Sequence, residues 1–197
     1  MMGAALPALQ ALGNGTTLFV SIAAGTSIAT FEAALGDRTP IVRTMPNTPA
    51  MVGRGITGIC GNAYAGPAGL ALAHQLMLAV GQVVELDGEH QIDAVTGVSG
   101  SGPAYVFHLI EAMAAAGEAE GLSAEVAMKL ARATVCGAGE LAYQSAKPAS
   151  QLRINVTSPG GTTAAALAVL MDPDRGFPPL LRRAVKAATD RGRELGK

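Results

Sequence analysis

Near residue 90 this 197-residue chain changes texture, and that change limits its fold more than any other feature. Before it, short β-rich runs alternate with helix-like stretches. Residues 18–23 (LFVSIA) predict a buried strand, followed by Gly25 and a helix running through Ile28, Phe31 and Leu35. Either Thr26 or Ser27 can cap that helix. Residues 40–45 (PIVRTM), 56–60 and 82–86 (QVVEL) predict three further strands, with a helix over 68–80. Such alternation implies a mostly parallel, doubly wound sheet. After residue 90 the segments 103–119, 123–145, 162–171 and 180–195 predict helices, and no run reads as a strand. The expected fold is α/β plus all-α, with one domain over 1–90 and a helical one over 91–197.

Composition narrows the function. With 49% hydrophobic and 15% charged residues, the chain can bury a sizeable core, which excludes disorder. Aromatics are only 4% and Trp is absent, so plentiful Ala and Gly should let helices approach closely. Leu122, Val126, Leu130, Thr134, Gly137 and Leu141 form a helical stripe. It can be buried against a second subunit, the preferred expectation, or inside a self-contained bundle. A net charge of −1 without a basic run excludes nucleic acid as a partner. There is no apolar run long enough for a membrane span, and residues 1–12 carry no basic leader, so a soluble cytoplasmic protein is expected. Cys60 and Cys136 read as two buried thiols of a reducing compartment. His74, His90 and His108 lack metal-ligand spacing, and no metal site is expected.

One literal G-x-G-x-x-G occurs, at Gly53, Gly55 and Gly58. A dinucleotide fingerprint must follow a strand and open a helix, so that helix amides face the pyrophosphate. This one follows a Pro-rich loop and leads into strand-like residues, so it is rejected. A dinucleotide fold should open with a strand, a Gly-rich turn and a helix. None precedes Met1, and the first 90 residues are expected to be a partial Rossmann-like domain lacking its Gly-rich first half.

Three segments carry candidate chemistry. In Ser21-Ile22-Ala23-Ala24-Gly25 a strand ends in small residues that permit close approach of a flat ring. In Arg43-Thr44-Met45-Pro46-Asn47-Thr48-Pro49 another strand gives way to a loop stiffened by two prolines, where Asn47 offers donors and an acceptor. In a parallel sheet both loops emerge at the carboxyl edge, where dinucleotides lie; ordinary turn chemistry would use the same residues. In Asn155-Val156-Thr157-Ser158-Pro159-Gly160-Gly161-Thr162-Thr163 a helix begins, with a hydroxyl expected at the cap and Pro just inside. A plain capped helix needs a single hydroxyl; the run of hydroxyls and the glycine pair point instead to an anion site at the helix N-terminus. A fourth segment, GVSGSGPAY at 97–105, can bring two helices, or a helix and a ligand, into close contact; packing is the preferred expectation, with Ser99 and Ser101 as supporting groups.

Together SIAAG (21–25), RTMPNTPA (43–50), DAVTGVSGSGPAYVF (93–107) and NVTSPGGTT (155–163) resemble the 1-pyrroline-5-carboxylate reductase family, in its order and approximate spacing. The resemblance implies a Rossmann domain, a helical domain that interlocks with a second subunit, and reduction of a cyclic imine to L-proline with NADPH or NADH. It implies that Ala23, Ala24 and Gly25 line the cofactor, with Met45, Pro46 and Asn47 near its nicotinamide end and Asn155 near the nicotinamide ribose or carboxamide. It further implies that Ser158, Gly160, Gly161 and Thr162 hold the substrate carboxylate, and that the Thr163 hydroxyl serves the ring nitrogen as the catalytic group. The sequence departs from the family at Ile154, usually polar or charged, and at Ala146, where some relatives place a carboxylate. It also lacks about 70 residues that a mononucleotide-binding half would occupy. The alternative is an inactive truncated fragment that serves only as a helical dimerisation module. A hydroxyacid dehydrogenase would need a lysine within residues 101–120, and there is none.

Overall fold

The computed structural model of the chain describes residues 2–196. Its sheet has four strands, β1 (Phe19–Ser21), β2 (Ile41–Met45), β3 (Gly55–Gly61) and β4 (Gly81–Glu85), in that spatial order. β1 pairs with β2 and β3 with β4 in parallel, but β2 and β3 run antiparallel. The sheet is therefore mixed, parallel in its two outer pairings and antiparallel in the middle one. A parallel return needs a crossover of about a dozen residues or more, usually a helix. Residues 46–54 hold only a 3₁₀ turn (Thr48–Val52) closed by Gly53 at φ +67°, so the chain simply reverses.

β2 is the heart of this sheet, with every residue buried. Alternation sends its neighbours to opposite faces. Ile41 packs with Leu6 of α1 (Met2–Leu9) and with Phe31 and Leu35 of α2 (Ile28–Leu35). Val42 packs with Ile59, Ala65 and Ala73, the last on α3 (Gly66–Leu78). Ile41, Val42 and Ile59 are fully buried, each contributing about 1.5–3 kcal/mol of burial free energy. α2 begins where expected: Ser27 is its N-cap and its Oγ accepts from the Thr30 N–H.

The glycines of GRGITG have structural roles, one in the backbone turn and two in packing. Gly53 takes the left-handed conformation that ends the 3₁₀ turn. At Gly55 a Cβ would come within 2.9 Å of the Val80 carbonyl oxygen, and at Gly58 within 3.1 Å of Val95 Cγ1. Both lie in β3, in agreement with the rejection of the fingerprint.

From residue 86 on, the described chain is helical: α4 (Ile92–Val95), a π-helical turn (Thr96–Gly100), α5 (Gly102–Ala119), α6 (Ala124–Gln144), α7 (Ala149–Asn155), α8 (Thr162–Leu170) and α9 (Phe177–Leu195). Two compact units result. One runs to Pro103 and takes back the chain from Ala184 onward; the other is Ala104–Arg183. In the first, the end of α9 returns to the π turn through small residues. A Cβ on Gly97 would meet Thr189 Oγ1 at 2.4 Å, and one on Gly192 would meet Asp93 Oδ1 at 2.9 Å. The change of texture near residue 90 thus marks the end of the strands, while the compact boundary lies thirteen residues later.

In the second unit, Ala114 of α5 packs with Ala127 and Ala131 of α6, and Gly117 faces Ala127. These small residues permit the close helix approach that the composition implies. The apolar stripe of α6 stays open within the chain, with Val126, Leu130 and Leu141 exposed. Cys136 is also exposed, contrary to the expectation of two buried thiols, because α6 buries only its alanine face. Among the described residues, no helix is long and apolar enough to cross a membrane.

Cys60 is buried against Met45 and Ile92. Burial raises its pKa from 9.0 to about 11, the Glu89 charge adds to the shift and Arg43 opposes it. The folded state then holds a proton that the unfolded state releases, so this contribution to stability is intact below pH 9.0 and is lost as pH rises towards about 11. Urea titrations at pH 8 and pH 10.5 should show a drop in midpoint that is smaller in Cys60→Ala than in the parent chain.

Candidate functional site

Parallel pairing with Ser21 opposite Arg43 brings the carboxyl ends of β1 and β2 side by side. Residues 22–25 and 46–47 therefore leave the sheet from one edge. The first loop is pinned at its base: the Ala23 N–H donates to Ser21 Oγ (3.2 Å), and Thr44 Oγ1 donates to the Ser21 carbonyl (3.1 Å). Ala23 and Gly25 are half-buried and Ala24 is exposed. Gly25 has φ +70°, and a Cβ there would lie 2.9 Å from Leu195 Cβ, so both conformation and packing call for glycine.

On the second loop, Pro46 and Asn47 are half-buried. Asn47 Oδ1 accepts from the Ile56 N–H at 2.9 Å, which ties the loop to the start of β3. Met45 differs from its neighbours. Its side chain packs with Cys60 and Ile92 and is 6% exposed, so what it offers at this edge is backbone.

A further group at this end of the sheet escaped the sequence reading. Glu89 Oε1 accepts from Arg43 Nη1 (2.5 Å) and from the Ile28 N–H (2.7 Å), at the first turn of α2. An arginine inside an apolar strand signals a buried counter-charge, but nothing local singles out Glu89.

The candidate anion loop lies in the other unit. Its helix start differs from the expectation, because the N-cap of α8 is Gly161 and Pro159 lies outside the helix. Gly161 N–H donates to the Ser158 carbonyl (3.0 Å), and Gly160 between them has φ +69°. With Pro159 at the second position, this is the arrangement of a type II turn, which needs glycine at its third. The hydroxyl cap is displaced because that turn occupies residues 158–161. Gly161 makes no side-chain cap, so the Thr162, Thr163 and Ala164 amides have no partner within the helix.

Around this N-terminus, Ser158 and Thr162 are exposed and Thr163 is half-buried. Thr157 faces elsewhere, its Oγ1 donating to the Arg153 carbonyl (2.6 Å). Asn155 closes α7, and its Oδ1 accepts from Gln151 Nε2 at 2.9 Å. The structure thus gathers Ser158, Gly160, Gly161, Thr162 and Thr163 around one helix N-terminus, and Ala23–Gly25 with Pro46 and Asn47 at one sheet edge.

Residues 89–195 match the family model described as pyrroline-5-carboxylate reductase dimerisation. A pyrroline-5-carboxylate reductase of Pseudomonas aeruginosa is 48% identical over 180 residues, covering 91% of this chain and 65% of that protein. One from Synechocystis sp. is 47% identical, covering 94% of this chain and 68% of the relative. The chain belongs to the pyrroline-5-carboxylate reductase family. Solved family structures agree with the fold. That from Coxiella burnetii superposes with a TM-score of 0.91 at 39% identity, covering 98% of this chain and 72% of its own. That from Plasmodium falciparum, solved with NADP bound, gives 0.85 at 33% identity, covering 99% and 73%. This chain thus spans about two thirds of the length of the family members it matches. Ile154 and Ala146, expected from the sequence to depart from the family pattern, are both exposed.

The fit around Gly25 gives a direct test. Gly25→Ala adds a left-handed strain of about 1–2 kcal/mol and a clash with Leu195. Its thermal midpoint should fall by roughly 3 °C or more, measured by circular dichroism, whereas Gly53→Ala, which meets nothing within 4 Å, should fall less.

Proposed function

We propose that this chain reduces 1-pyrroline-5-carboxylate to L-proline, with NADPH or NADH as the hydride donor, and that it does so as a homodimer in the cytoplasm. The observation that carries the reading is the N-terminus of α8. A type II turn presents Ser158, two glycines and two threonines around helix amides that have no side-chain cap. An amino-acid carboxylate is a natural occupant of such a terminus, because the amides donate to it and the helix dipole favours its charge. Gly160 and Gly161 keep side chains out of its way.

The small loop Ala23, Ala24 and Gly25, beside Pro46 and Asn47, suits a flat ring, and these residues with the Met45 backbone are the ones to hold the nicotinamide end. Asn155 is assigned to the same end of the cofactor. When bound, the nicotinamide supplies the hydride. The chain's own residues bind and orient the substrate. Ser158, Gly161 and Thr162 fix its carboxylate, and the Thr163 hydroxyl donates a hydrogen bond to the ring nitrogen, which makes the imine carbon more electrophilic. No covalent nucleophile is required.

The dimer is supported by the open stripe of α6, where Val126, Leu130 and Leu141 lie exposed, within the segment that matches the dimerisation model. We take residues 91–197 as the functional unit for dimerisation and substrate binding, and 1–90 as the part that meets the cofactor.

Steady-state assays on the purified chain test the activity. NADPH oxidation should depend on 1-pyrroline-5-carboxylate, and Thr163→Ala should lower kcat by about 10²-fold, while Thr163→Ser keeps most of it. A folded, dimeric sample with neither turnover nor cofactor binding would reduce the chain to a dimerisation module. For the assembly, Leu130→Asp should shift the sedimentation coefficient from dimer towards monomer at micromolar concentration, with helicity retained.

A further inference from the structure

The first turn of α2 follows directly on the loop Ala23-Ala24-Gly25, so whatever holds that turn also holds the loop. Ser27 satisfies the Thr30 N–H through its side chain. The Ile28 N–H, one position into the helix, has its partner 61 residues away, in Glu89 Oε1 at 2.7 Å. The same oxygen accepts from Arg43 Nη1, on the strand beside β1. One carboxylate therefore joins β2, the start of α2 and the turn leading into α4. On its other side the loop is backed by Leu195 at the end of α9, pressed against Gly25.

Resting on the reductase reading above, we propose that Glu89 is a positioning residue for the cofactor loop. Through the Ile28 amide it fixes where residues 23–27 leave the sheet, and so sets affinity for the dinucleotide without touching it. The charge of Arg43 serves to hold the carboxylate in place. Arg43 is 7% exposed, and Glu89 is its partner at 31%. A carboxylate at a helix N-terminus is in addition favoured by the helix dipole. Two features mark this as more than a tie within the core. Glu89 is separated from both its partners by long stretches of sequence, and it acts on the backbone donor that opens α2, immediately after the loop segment. Glu89 also lines an open concavity of about 390 Å³ with Gly25, Ser27, Asp93 and Arg193, so shortening it lets in water rather than leaving a sealed void.

Two double variants separate the loop contact from the ion pair, each removing the buried cation as well: Arg43→Met with Glu89→Ala, and Arg43→Met with Glu89→Gln. The glutamine keeps an acceptor oxygen for the Ile28 N–H; the alanine does not. The alanine pair should raise the KM for NADPH about tenfold while leaving the KM for 1-pyrroline-5-carboxylate within twofold, and the glutamine pair should stay within about threefold of the parent for both. Hydrogen exchange followed on the same proteins reads the loop without any need for activity. Amides of residues 24–30 should exchange about tenfold faster in the alanine pair than in the glutamine pair, with β2 and β3 unchanged. Equal exchange in the two pairs, or a rise in both KM values together, overturns the positioning role. A parent chain that neither binds NADPH nor turns over overturns the reductase reading instead, and leaves the exchange comparison to decide the role of Glu89.

Discussion

An arginine in the middle of a strand buried on both faces sets the terms for the rest of the α/β unit. Ile41, Arg43 and Met45 share one face of β2 by simple alternation. The first and third belong to separate apolar clusters, one under α1 and α2 and one under α4. Arg43 sits between them, and a guanidinium removed from water needs an anion close by. Glu89 supplies it, and Glu89 stands in the turn where the strands end and the helices begin. The two clusters are therefore held in register by a polar joint rather than merged into one core.

The four strands and the longer helices were legible because each carries a local signal, whereas the short helices α1, α4 and α7 were not read from the sequence. LFVSIA, PIVRTM and QVVEL are short, β-branched and bounded by turn residues, and Ser27 announces the start of α2. What local signals do not carry is direction. The antiparallel step between β2 and β3 depends on how few residues link them, and the Pro-Asn motif was read for its chemistry instead. The capping of α8 was mistaken for a similar reason. Ser158 is an ordinary capping residue by type, but Pro159 and Gly160 together favour a type II turn, which moves the cap to a residue with no side chain. Of the candidate site, the small-residue loop and the threonine pair were visible as composition. Glu89 was not, because its partners are 46 and 61 residues away and no spacing rule reaches that far.

Glycine has three distinct duties in this chain. At Gly25 and Gly160 it supplies left-handed backbone within loops assigned to ligands. At Gly97 and Gly192 it lets the end of α9 press on the π turn and on Asp93. At Gly55 and Gly58 it serves packing within the sheet and against α4, although their spacing imitates a dinucleotide fingerprint. The same residue type thus answers in one place to backbone conformation and in another to what lies beside its missing Cβ. The alanines of α5 and α6 extend this economy of volume. They allow one face of α6 to be buried by small side chains, which leaves its larger ones, Leu130 and Leu141, pointing outward.

The direct reversal between β2 and β3 also bears on how the chain finds its fold. Joining two strands across residues 46–54 closes a small loop, so it costs little conformational entropy. The parallel pairs β1–β2 and β3–β4 must each wait for a longer connection that carries a helix. The antiparallel pair is therefore the cheapest nucleus available to the α/β unit, and β2 within it already presents Ile41 and Val42 to opposite sides. α2 and α3 can then condense on either face, with Glu89 closing on Arg43 only after β4 is in place. The joint that holds the finished unit in register is, on this route, among the last parts of it to form.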